Sequence, residues 1–169
     1  ACVSINGGVA SVGVGFDSCR YSTATTGSSI CIGDNAGRGT PGSFTGAGNV
    51  FIGQAVGYDA TSAAQNVGIG AYSGAAQPPF RYLTSGNNNT ALGHSALGNI
   101  TTGGSNTAVG NLALYSSTTN NFNVAVGSES LNSNTTASNN TAVGYQAGYS
   151  NTTGAGNLML GPSSGYTNN

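Results

Sequence analysis

The chain has 169 residues, only 4% of them charged, with three Arg, no Lys, four acids and a net charge of −1. Typical soluble domains carry about 25% charged residues, and this chain lacks the clustered Lys and Arg that draw proteins to nucleic acid or anionic membranes. No apolar run approaches the ~18 residues of a membrane span, so neither nucleic-acid binding nor membrane insertion is expected. The 29 Gly point to many sharp turns or close backbone approaches.

In chain order, residues 1–28 form an atypical opening coil holding Cys2 and Cys19, with Cys31 shortly after. One pair can close a loop and leave an odd thiol, and such use of cysteine suits an oxidising, extracellular setting. There is no basic-then-apolar secretory start, and the opening Ala1 suggests a processed chain or a fragment. A five-residue core then recurs: Ser11 to Gly15, Ser29 to Gly33, Asn49 to Gly53, Asn66 to Gly70, and Asn89 to Gly93. It continues at Asn106, Asn123, Asn140 and Asn157. The first five cores start 18, 20, 17 and 23 residues apart, and the rest follow every 17. The chain is therefore one repeat array, with longer loops over 29–86 and regular coils over 87–169.

Each core is predicted to be a short strand, because residues two apart share one strand face. The second and fourth positions are Thr, Val, Ile or Leu throughout and form an apolar stripe. The third is usually small, as at Gly13, Gly68, Ala91, Ala108, Ala125 and Ala142, with Cys31, Phe51 and Met159 as exceptions. Small residues in register suggest an outer face lying close against a neighbouring chain, so Ala91, Ala108, Ala125 and Ala142 are the expected oligomer-packing face. The segment after each Gly, such as Asn111 to Tyr115 or Tyr145 to Tyr149, reads as a second strand, and Ser150 to Gly154 as a turn. Two strands and two turns make one coil of an all-β, parallel β-solenoid (β-roll) of about nine coils. Stacked coils share the core that one coil cannot build. The rod is roughly 40 Å long, and aligned Asn is expected to form a ladder of amides along it.

The phrases at 140–154 (NTAVGYQAGYSNTTG) and 88–98 (NNTALGHSALG) resemble repeats of phage and algal-virus tail-fibre proteins. They are also similar to the head repeats of trimeric autotransporter adhesins, over residues 11–169 and most closely from 87 onward. The resemblance implies a left-handed parallel β-roll, three chains around one axis, and a role in attachment. The chain departs from the adhesin pattern in its 17-residue period and in carrying no membrane anchor.

No catalytic, cofactor-binding or metal-binding cluster is legible. His94 stands at a variable repeat position, and Asp17, Asp34, Asp59 and Glu129 are scattered over four coils, whereas acid–base work needs two poised groups and calcium several oxygens together. Pairs such as Gly68-Ile69-Gly70 open no helix and so are not phosphate loops. Sequons begin at Asn88, Asn99, Asn134, Asn139 and Asn151, a number that so Asn- and Thr-rich a chain produces by itself. Two lengthened loops hold Arg38 and Phe44, and Phe80, Arg81 and Tyr82. Insertions in solenoids emerge on the surface, so these five are the candidate receptor contacts, unless the aromatics pack back on the rod. Tyr58, Tyr115, Tyr149 and Tyr166 lie near equivalent positions and are expected to form a ladder.

The expected function is that of a non-enzymatic structural segment of a viral tail fibre or surface adhesin. It is homotrimeric, extracellular or on the virion, and contacts a host receptor or glycan. The alternatives are a self-assembling extracellular filament of head-to-tail solenoids and an ice-binding or glycan-binding solenoid.

Overall fold

The computed structural model describes residues 11–21, 28–41, 44–72, 74 and 76–167. Their regular structure is nine three-residue strands: β1 (Val12–Val14), β2 (Ile30–Ile32), β3 (Val50–Ile52), β4 (Val67–Ile69), β5 (Thr90–Leu92), β6 (Thr107–Val109), β7 (Val124–Val126), β8 (Thr141–Val143) and β9 (Leu158–Leu160). The strands pair in sequence order into one nine-stranded sheet, parallel and in register, so that Ala91, Ala108 and Ala125 lie opposite one another. The chain is an all-β parallel solenoid with one strand per coil, and no described residue is helical.

The Asn that opens each core builds the expected ladder. At Asn106, the backbone N–H and Nδ2 both donate to Asn89 Oδ1, at 3.0 and 3.1 Å, and Nδ2 also donates to the Asn120 carbonyl at 2.9 Å. Its own Oδ1 accepts the same two bonds from Asn123. Asn120 lies 14 residues on in the same coil, so each amide joins its coil to two others and also ties that coil shut. Asn49, Asn89, Asn123 and Asn140 make the same closure. Asn66 makes it 20 residues on, to Gly86. In the first two coils Ser11 and Ser29 take the place of Asn and accept from the backbone N–H of Ser29 and Asn49.

The strand stops at Gly for a steric reason. Gly93 has φ +134°, and a Cβ there would lie 2.6 Å from the Gly110 carbonyl oxygen of the next coil. The segment that follows is not the predicted second strand. It is a run of turns in which alternate residues are left-handed, such as Leu112 (φ 56°) and Leu114 (φ 51°). Left-handed backbone costs a non-glycine residue ~1–2 kcal/mol, but here it pairs in both directions. Leu112 N–H donates to His94 O of the preceding coil and Leu114 N–H to Ser130 O of the following one, at 2.9 and 3.0 Å. Alternating apolar residues look like a strand in sequence, yet the wall they build is made of turns.

Two inward columns share the narrow interior. The middle strand residue faces the left-handed residue six or more places on, and where one is large the other is small: Cys31 with Gly37, Phe51 with Gly57, Gly68 with Phe80, Ala91 with Leu97, Ala108 with Leu114. A Cβ at Gly57 would sit 2.7 Å from the Phe51 ring, and one at Gly68 2.7 Å from Phe80. Phe44, Phe51 and Phe80 are wholly buried and pack at centroid distances of 6.4 and 6.1 Å. This corrects the sequence expectation for the alanines: Ala91, Ala108, Ala125 and Ala142 are completely buried inside the solenoid and form no oligomer-packing face. They are small because the opposite wall is close, and the flanking apolar residues point outward.

Replacing Asn106 by Ala orphans two donors of Asn123 and the Asn120 carbonyl. The expected cost is about 3 kcal/mol, a fall of roughly 6–12 °C in the calorimetric midpoint; an unchanged midpoint would show that the ladder does not hold the coils. Phe51→Ala should cost about 3–5 kcal/mol and Gly57→Leu about 1–3 kcal/mol. Together they imitate the Ala91–Leu97 pair, so the double variant should be more stable than the sum by over ~1 kcal/mol. Simple additivity would refute the sharing of volume.

Candidate functional site

Two surfaces stand out on opposite walls of the rod. The first is the outer face of the sheet, where the strand ends of all nine coils make two columns. Fifteen of those eighteen residues are Val, Ile or Leu, and the others are Thr90, Thr107 and Thr141. Many are well exposed, among them Val12, Ile30, Leu92, Val124 and Val143. No charged residue interrupts the columns. At ~4.8 Å per strand the patch is about 40 Å long and on the order of 400 Å², within the ~300–600 Å² of a typical monomer's largest apolar patch, which is often functional.

The second surface lies across the core, on the turn wall of the first four coils. There Arg20, Tyr21, Arg38, Tyr58, Arg81 and Tyr82 alternate as cation and ring. Arg20 and Arg38 lie 5.1 and 5.8 Å from the Tyr21 ring centre, Arg38 and Arg81 lie 5.0 and 4.3 Å from that of Tyr58, and Arg81 lies 5.7 Å from Tyr82. Arg38 Nη1 also donates to the Tyr58 hydroxyl. Asp17 pairs with Arg20 at 2.5 Å and approaches Arg38 Nε at 3.8 Å, while Asp59 meets Arg81 Nε at 2.8 Å. The hydrogen bond and charge of Asp17 raise the pKa of the Arg20 guanidinium above its ordinary value. Thr61, Ser62, Thr84 and Ser85, exposed or part-exposed, follow the ridge residues in the third and fourth coils, and the hydroxyls of Thr61, Ser62 and Thr84 donate to backbone carbonyls of the next coil.

Of the five candidate contacts, the structure brings Arg38, Arg81 and Tyr82 together and removes two. Phe44 and Phe80 are buried in the core, so they are packing residues and offer nothing to a receptor. The reason lies in the placement of the longer loop. Pro79 and Arg81 accept bonds from Gly57 and Asp59 as ordinary turn-wall residues, so the six extra residues fall upstream, around exposed Ala71, Tyr72 and Gly74. Arg20, Tyr21, Tyr58, Asp17 and Asp59 were not singled out as contacts from sequence. Aligning the turn walls instead of the strands puts Arg20, Arg38, Tyr58 and Arg81 in one column, which continues as Gly98, Tyr115, Asn132, Tyr149 and Tyr166. The tyrosine ladder is therefore partial, with Tyr149 and Tyr166 stacked at 5.2 Å.

His94 sits beside Asn111, with Nδ1 3.1 Å from Oδ1. Among the described residues no three His, Cys, Asp or Glu side chains gather. Two sequon asparagines are structural: Asn134 and Asn151 are buried, and each brackets the backbone three residues on. Cys19 and Cys31 form a disulfide that crosses the core between the first two coils, and Cys2 lies outside the described residues.

Peptide mapping of the oxidised protein should recover Cys19 linked to Cys31, and reduction should cost on the order of 3 kcal/mol for a loop of this size. A Cys2-linked peptide in place of that bridge would contradict the arrangement. No family model, curated protein or solved structure matches the chain.

Proposed function

We propose that this chain is a rigid shaft segment of a viral tail fibre or surface adhesin, extracellular or on the virion. In this reading three copies assemble through the outer faces of their sheets and carry an attachment surface outward. The observation that carries it is the uncharged, two-column apolar face running the length of the sheet. The largest apolar patch of a monomer is often functional, and here its continuity and lack of charge favour an interaction site, whose repeat restricts the partner. A stack of strands matches side chains that recur every ~4.8 Å over about 40 Å, and another copy of this chain supplies one. With no charge on the face, identical copies meet without like-charge repulsion. Three is the number implied by the tail-fibre and adhesin resemblance, and stiffness follows from the amide ladder.

Light scattering tests the reading. The expected mass is three times the 16.4 kDa chain, unchanged by reductant. Val126→Lys, in the middle of the face, should release single chains with unaltered circular dichroism. Val126→Thr, close in shape, should weaken assembly only partly. A wild-type monomer at high concentration would sink the shaft assembly, and large polymers that dissolve under reductant would favour a filament.

A further inference from the structure

We propose that the arginine–tyrosine ridge binds an extended acidic glycan, a polymer of sugars bearing carboxylate or sulfate groups, laid along the rod. This deepens the attachment reading but does not depend on the trimer. All three arginines and two of the four acids of the chain fall in this one strip. Folding does not require them there: from the fifth coil onward the same column holds Gly98, Tyr115, Asn132, Tyr149 and Tyr166, and the coils stack in the same way. Nor does solubility, which Asn, Ser and Thr supply along the whole rod.

The geometry selects the ligand. Tyr21 and Tyr58 flank the Arg38 guanidinium, whose Nη1 already donates to the Tyr58 hydroxyl, and Tyr58 and Tyr82 flank that of Arg81, so an incoming group meets the N–H edge of Arg81 and the remaining Nη2 of Arg38. Asp59 Oδ2 lies 2.8 Å from Arg81 Nε but is not aligned as a hydrogen bond; it occupies the Nε side, and the planar oxyanion is placed against the Nη edge, the pairing guanidinium makes best. Side chains already held by stacking lose little freedom on binding. Arg38 and Arg81 stand two coils apart in one column, about 10 Å, so the ligand is a polymer with anions at comparable intervals. The Thr61, Ser62 and Thr84 hydroxyls donate to the carbonyls of the following coil and keep lone pairs that can accept from a polyol.

A peptide is disfavoured because the backbone here is already committed: Tyr21 N–H to Arg38 O, and Asp59 N–H to Arg81 O. An acidic peptide would find no edge to pair with. Nucleic acid is disfavoured because its phosphates follow one another every ~3.4 Å per strand, a denser row of charge than Arg38 and Arg81 two coils apart, with Asp17 and Asp59 among the cations, can match.

Affinity electrophoresis of the full chain through gels holding alginate, dextran sulfate or neutral dextran tests this. Retardation is expected with alginate, dextran sulfate or both, and none with dextran; which of the two retards tells carboxylate from sulfate. Arg81→Gln should weaken it about tenfold and Arg81→Lys, which keeps charge but loses the fork, by several-fold. Tyr149→Ala, at the other end, should leave it unchanged. Should Arg81→Gln fail to fold, the exposed Arg20→Gln is expected to lose several-fold. Equal retardation by neutral dextran, tighter binding of polyglutamate or an oligonucleotide, indifference to Arg81→Gln in a folded protein, or no retardation at all would each overturn the proposal. Assembly is read separately by light scattering, so the two readings fail independently.

Discussion

The buried amide ladder is the interaction on which the rest of the rod depends. A carboxamide with no access to water must satisfy two donors and an acceptor inside the protein or lose the free energy of its hydration. From the third coil to the eighth, one Asn per coil meets that demand by joining neighbouring rungs and by tying its own coil shut at a turn carbonyl. The closure is spatial, not sequential. It spans 14 residues in most coils and 20 at Asn66, with the surplus chain displaced to the surface. Loop length can therefore vary without disturbing the stack, which is why irregular early spacings and strict later ones coexist in one array.

Tying each coil so tightly brings the two walls close together. The interior then has room for roughly one substantial side chain per level, and the strand and turn walls divide that volume between them. The Cys19–Cys31 bridge belongs to the same scheme, since it joins the turn wall of one coil to the strand wall of the next. A core this thin cannot absorb the branched residues at the strand ends, so they remain outside as a continuous apolar face. The same tightness that makes the single rod regular thus leaves it with a surface that favours association.

Along its length the rod divides into two parts. The later coils are uniform, and their interiors become more polar as Ile100 gives way to Ser117, Asn134 and Asn151 at one position. The first four coils hold the disulfide, the phenylalanine cluster, the longer loops and the cation–ring ridge. A regular stack supplies stiffness by repetition, and specific chemistry enters where the repetition is broken. On the proposed assembly, with sheets turned inward, the ridge faces away from the shared axis.

The repeat, the strand in each core, the parallel stack and the asparagine ladder were all legible in the amino-acid sequence, because recurrent polar and apolar positions at constant spacing admit few other arrangements. Period-two alternation also showed that each strand has two different faces. It did not show which one is inside. Branched aliphatics at the strand ends and alanine between them suggest an apolar interior and a small-residue exterior, and the reverse holds because space, not hydrophobicity, sets the choice in a coil this narrow. The tertiary structure also decided that Leu112 and Leu114 belong to left-handed turns, since their pairing partners lie in different coils. The ridge depended on it most. Arg20, Arg38 and Arg81 stand 18 and 43 residues apart in the chain, and only the stacking of turn walls around loops of unequal length brings them into one column.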